Sequence, residues 1–170
     1  MSGYDQSAAE IRTMTEQKLP FEVVRARRAG ARLAAVQALY QMEATGQSAR
    51  SVVREFCDDR LGAGPDGEPV EEADPDIFKS IINAAVEKQA EIDPAISAKL
   101  SKNWKLARLD ATTRAILRAA TAELFAHQEL SAAIILDEYV SVAHAFFDGE
   151  EPRFVNAVLD NIAKEVRSGG

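Results

Sequence analysis

Apolar residues recur at helical spacing along this chain, and polar breaks divide them into seven segments. The first begins in the Phe21–Arg25 region, carries Leu33, Val36, Leu39 and Tyr40, and runs to Thr45, where Gly46 stops it. Ser48 or Ser51 opens a second with Val52, Val53 and Phe56. Asp74-Pro75 sets a capping carboxylate before a proline at the first helical position, and Ile77, Phe78, Ile81, Ile82, Ala85 and Val86 give the third segment a broad apolar face. Asp93-Pro94 repeats that start signal for a short fourth segment through Ile96 and Leu100. Asp110 caps a fifth, running to about Gln128 with Ile116, Leu117, Ala120 and Leu124; Ser131 caps a sixth, with Ile135, Tyr139, Val142 and Phe146. Gly149 breaks that segment and Pro152 starts the seventh, with Val155, Val158, Leu159, Ile162 and Val166. No segment shows the period-two alternation of a strand, and no longer repeat is present. The expectation is an all-α protein: a compact bundle of about seven helices forming a single domain over residues 21–170.

Two stretches fall outside this pattern. Residues 1–20 are polar and weakly periodic and close on Pro20, which predicts a flexible N-terminal tail. Leu61 to Glu72 holds Gly, Pro and acids without periodicity and predicts a loop, the centre of an acidic segment over about residues 58–74. Composition supports the helical reading, because alanine and leucine are plentiful and aromatics make up only 6% of the chain. The single cysteine, Cys57, cannot form an internal disulfide, so a reducing compartment is the default. Met1 to Lys18 lacks the apolar core of a signal peptide, and the longest apolar run, Ala132 to Leu136, falls far short of the roughly 20 residues a membrane span needs. A cytoplasmic protein is expected.

The net charge of −7 argues against a polyanionic partner until its distribution is considered. From Asp58 to Asp76 there are eight acids and one base, Arg60, whereas Arg25, Arg27, Arg28 and Arg32 fall within eight residues that contain no acid. On a helix, Arg25, Arg28 and Arg32 share one face within an arc of roughly 60°. The apolar stripe of Leu33, Val36, Leu39 and Tyr40 follows on nearly the same face. Burying three guanidinium groups with no acidic neighbour in sequence would be costly, so the arginine turns are expected to present a basic surface to solvent. Arginine suits a nucleic acid, since its planar fork pairs with phosphate and stacks on bases. An ordinary solvated helix end making salt bridges accounts for such a cluster about equally well.

Four motifs in order tip that balance. Arg27-Arg28-Ala-Gly-Ala-Arg32 running into Ala35-Val-Gln37-Ala-Leu-Tyr40 resembles the opening of the NusB family. Leu109-Asp110 with Arg114-Ala-Ile-Leu-Arg118 and Glu123-Leu124 is similar to its central helix. Ile134 to Ala143 and Phe154-Val-Asn156-Ala-Val-Leu-Asp160 resemble its last two motifs, so the likeness spans residues 27–160. The chain departs from the family pattern at Asp137, where the family has asparagine, at His144 for lysine and at Ala157 for glycine.

The resemblance implies a noncatalytic factor of transcription antitermination with a NusB-like fold. Such a factor binds single-stranded boxA RNA of nascent ribosomal transcripts together with the small-subunit ribosomal protein that acts as NusE, and helps RNA polymerase read through terminators. On that basis the RNA-binding residues are Arg25, Arg27, Arg28 and Arg32 for phosphates and stacking, and Gln37 and Asn156 for base edges. Tyr40 and Phe154 serve as platforms and Arg153 as a phosphate contact. Tyr40 lies on the core face of its helix and is expected to be a core residue with its hydroxyl at the rim; Phe154 lies at the edge of an apolar stripe. Arg114, Arg118 and Glu123 are the residues expected to meet the ribosomal protein.

Two other classes compete with this reading. Enzyme motifs such as G-x-S-x-G or a P-loop are absent, and His127 and His144, the only histidines, fall in no ligand motif, so no cofactor or metal is expected. A NusB-like domain of a ribosomal RNA methyltransferase would need a following methyl-donor domain, and this chain ends at Gly170. A self-associating helical module is the other class, and the resemblance admits a homodimer formed through the RNA-receiving surface.

Overall fold

The computed structural model describes residues 19–63 and 72–167. The expected tail, apart from Leu19 and Pro20, and the centre of the acidic loop lie outside the described residues.

Seven α-helices and one 3-10 turn form the regular structure of the described residues: α1 (Phe21–Thr45), α2 (Ala49–Asp59), α3 (Pro75–Glu87), α4 (Gln89–Ser97), the turn Leu106–Arg108, α5 (Ala111–Ala126), α6 (Ala132–Phe146) and α7 (Glu151–Val166). Their ends follow from local chemistry. Gly46 takes φ 76°, a left-handed conformation open to glycine, and donates its N–H to Met42 O to close α1. Ser48 accepts from Ser51 N, Asp74 from Asp76 N and Ile77 N, Asp110 from Thr112 N and Thr113 N, and Ser131 from Ile134 N. Each uses a side-chain oxygen to satisfy otherwise unpaired N–H groups of a first turn.

The Asp93-Pro94 start signal is overruled. α4 begins at Gln89 and carries Pro94 inside it, and the Asp93 carboxylate accepts from Arg118 instead of capping. A bidentate partner on another helix outweighs a local cap.

α5 is the axis of the bundle. Ten of its sixteen residues are buried, and it packs against α1, α3, α4, α6 and α7. A helix buried around most of its circumference must be apolar around most of its circumference. Its Ala115, Ala119, Ala120 and Ala122 are small enough for neighbouring helices to approach closely. On one side α2 covers α1 and α3 through Phe56, whose ring stacks on Phe78 at 5.5 Å and lies beneath the Arg60 guanidinium at 4.5 Å.

The two ends of the acidic loop are tied down. Ala73 N donates to Leu61 O, Asp74 N to Arg27 O and Arg27 Nε to Glu72 O. Gly30 makes room for that return, since a Cβ there would lie 3.2 Å from the Ala73 Cβ. No helix among the described residues is long and apolar enough to cross a membrane.

Candidate nucleic-acid interface

The basic segment of α1 does not act as one strip. Arg25 is exposed, its Nε 3.5 Å from Glu138 Oε1 of α6. Arg28 is exposed too, and no ion pair or hydrogen bond among the described residues engages it. These two arginines, with Phe21, Val24 and Ile134, line a shallow recess between the first turns of α1 and α6. Arg27 points elsewhere and holds the returning loop at Glu72 O, so it is a structural clamp.

Arg32 corrects the sequence expectation. Only 3% of it is exposed, and its Nε and Nη2 donate to Oε2 and Oε1 of Glu123 at 2.7 and 3.3 Å. Glu138 lies 3.8 Å from its Nη1. Glu123, expected to meet a partner protein, is likewise sealed at 0% exposure; His127 Nδ1 donates to its Oε1 at 2.7 Å, and His127 Nε2 lies 2.8 Å from Ser80 Oγ. Neither residue is available at the surface. The acids that neutralise Arg32 come from α5 and α6, roughly a hundred residues away in sequence, which local composition cannot reveal.

A signal was present nonetheless: Glu123 sits three residues after Ala120 and seven after Ile116, on the face expected to be core. A carboxylate there required a buried base. Burial opposes the charge on Glu123, but hydrogen bonds from His127 and Arg32 outweigh it and hold the pKa below its ordinary 4.5. For Arg32, burial is likewise outweighed by the Glu123 carboxylate, which raises its pKa. Tyr139, fully buried beside this pair, has its phenol pushed well up by burial and then by the Glu123 charge.

Further along α1, Gln37 and Tyr40 are exposed and line a cleft with Arg60, Thr112 and Phe146. Tyr40 is 46% exposed, so its ring belongs to this surface and not to the core as expected. Arg60 and Phe146 do not stand out in the sequence: Arg60 is alone in an acidic run, and Phe146 reads as the last apolar position of its helix.

The first turns of α7 carry Arg153, with its side chain 87% exposed, together with exposed Asn156 and half-buried Phe154. Phe154 lines a third recess with Trp104, Thr113 and Glu150. Because Arg25 of α1 lies beside Ile134 and Glu138 of α6 and Tyr40 beside Phe146 at its end, the two helices run side by side in the same direction. Thr112 and Thr113, adjacent at the start of α5, join the second recess to the third. The recesses therefore follow one another, Arg25 and Arg28 lining the first, Gln37 and Tyr40 the second and Phe154 the third, with exposed Arg153 and Asn156 on the same turns of α7 as Phe154. From Arg25 to Tyr40 alone this track covers about 22 Å at 1.5 Å per helical residue.

Arg114 and Arg118 are engaged within the chain. Arg114 Nη1 donates to the carbonyls of Leu106 and Leu109, fastening the 3-10 turn to α5, and its other nitrogens pair with the Glu43 carboxylate. Arg118 joins Glu43 at 2.7 Å and Asp93 at 2.9 Å. Hydrogen bonds from Arg114 above all hold Glu43 below the usual carboxylate range.

The model of the NusB family matches residues 29–164. This chain belongs to the NusB family. It is 66% identical over 152 residues to the transcription antitermination protein NusB of Hyphomonas neptunium, covering 89% of this chain and 99% of that protein. Among solved structures it is similar to T. maritima NusB, at 29% identity and a TM-score of 0.68, over 81% of this chain and 91% of that one. It is also similar to a chain of the complex of antitermination factors NusB and NusE with double-stranded RNA, at 26% identity and a TM-score of 0.67, over 82% and 97% of the two chains.

Proposed function

We propose that this NusB-family chain is a noncatalytic antitermination factor. It takes boxA RNA as a single strand along the α1–α6–α7 track and, with the ribosomal protein acting as NusE, joins the RNA polymerase complex that reads through terminators on nascent transcripts in the cytoplasm. The observation that carries this reading is the set of exposed groups along these recesses: the cations Arg25 and Arg28, the amide Gln37 and the aromatic faces of Tyr40, Phe146 and Phe154, with exposed Arg153 and Asn156 on the first turns of α7. Guanidinium groups bind phosphates, amides read base edges, and rings receive unstacked bases. The complex of NusB and NusE with double-stranded RNA among its structural relatives supports RNA and NusE as partners. The partner protein is assigned to the face where Arg114 and Arg118 meet Glu43 and Asp93, with exposed Val86 alongside.

The test is binding to boxA RNA against a scrambled strand across a salt series, with and without the ribosomal protein. Tight binding of boxA by the pair, weakening steeply with salt, is expected. Equal affinity of the pair for both strands would defeat the proposal.

A further inference from the structure

Trp104 is the only tryptophan of the chain, and it is 55% exposed. It stands on the irregular segment between α4 and α5, with its backbone N–H donated to Ser101 O, and it is not among the apolar residues packed on the core. An indole of that size left in solvent has no evident part in stability. It lines the third recess, a cleft of about 310 Å³ shared with Leu109, Asp110, Thr113, Phe154, Glu150 and Glu151.

Two aromatic side chains and three carboxylates in one recess make a specific chemical demand, with the Asp110 carboxylate already occupied in capping α5. Rings accept any base face, but a carboxylate can only accept hydrogen bonds and repels phosphate. The recess therefore admits a base and excludes the backbone, which exposed Arg153 stands ready to hold outside. The Glu150 carboxylate lies 3.8 Å from Arg153 Nη1, with both side chains largely in solvent. Glu151 Oε2 is buried without a hydrogen-bond partner, held where a Cβ on Gly149 would come within 2.9 Å. Of the four bases, guanine alone offers two adjacent donors, N1–H and the N2 amino group, on its Watson–Crick edge.

We infer that this recess receives one unpaired guanine of the bound RNA, its ring against Trp104 and Phe154 and its two N–H donors toward the exposed Glu150 carboxylate. The inference rests on the RNA-binding reading above and adds to it the site at which one base identity is chosen.

Because Trp104 is alone, its fluorescence reports on the recess without labelling. Adding boxA RNA to the full chain with its ribosomal partner should quench that emission. Replacing the recognised guanine by inosine, which keeps the ring but lacks the amino group, should weaken binding about tenfold. Glu150→Gln should remove that discrimination. Trp104→Ala should also cost about tenfold in affinity, with Trp104→Phe restoring it and circular dichroism unchanged in both. If a labelled strand binds while Trp104 emission stays fixed, or if inosine is tolerated at every guanine position, the inference is overturned and the RNA-binding reading survives. If no RNA binds under any condition, both fall together.

Discussion

Arg28 and Arg32 lie four residues apart on the same face of α1, yet their surroundings are opposite. Arg28 faces solvent with nothing to pair with among the described residues, whereas Arg32 is enclosed between α5 and α6 and held by two carboxylates. One helical turn carries the helix from beyond the edge of the bundle to its interior. What distinguishes a binding group from a structural one is therefore depth along the helix, and helical phase does not report depth. The same chemistry that attracts a phosphate at the first position fixes three helices together at the second.

The sharpest way to break this comparison is Arg32→Ala. It leaves the Glu123 carboxylate buried without its principal counter-charge, and a loss of about 3–5 kcal/mol is expected, seen as a fall of roughly 10 °C in Tm. Replacing both Arg32 and Glu123 by apolar residues of similar size should recover most of that loss. If Arg32→Ala leaves Tm unmoved, the enclosed pair is not what joins α1 to the core.

Acid should act on the same pair. Glu123 and Glu43 both titrate below the ordinary carboxylate value of 4.5, so their contribution is complete above that pH and is lost as pH falls through their lowered values. Stability measured by denaturant titration should therefore decline below about pH 4, and Arg32→Ala should show a smaller decline.

At the solvent end, Arg25→Ala with Arg28→Ala should leave Tm nearly unchanged but weaken RNA binding. The same pair of changes should flatten the salt dependence, by about 0.7 in the log–log slope for each phosphate that is no longer neutralised. An unchanged slope would remove these arginines from the proposed track. The smallest effect is expected from Glu138→Gln. That carboxylate restrains Arg25 at 3.5 Å and contributes negative charge beside the track, so its neutralisation should raise RNA affinity a few-fold; a drop would mean that Glu138 itself assists binding.

Much of the fold was legible because its signals are local. Glycine at 46, the caps at Ser48, Asp74, Asp110 and Ser131, and the 3.6-residue recurrence of apolar positions act within a turn or two of themselves. Asp93-Pro94 misled because its carboxylate had a better partner, Arg118, in another helix. The candidate site was legible only in part. The exposure of Arg25 and Arg28 was expected, Tyr40 proved to be at the surface, and the recess formed by Trp104 and Phe154 brings together residues fifty positions apart.

The sequence by itself determined the seven helices, all but a few of their ends and the family, since each depends on interactions between near neighbours or on motifs in fixed order. Tertiary structure decided that Arg32, unlike Arg25 and Arg28, would be enclosed and which carboxylates would neutralise it. The electrostatic cost of an arginine depends on the dielectric and the counter-charges around it, and those are supplied by helices that sequence distance keeps apart until the chain folds.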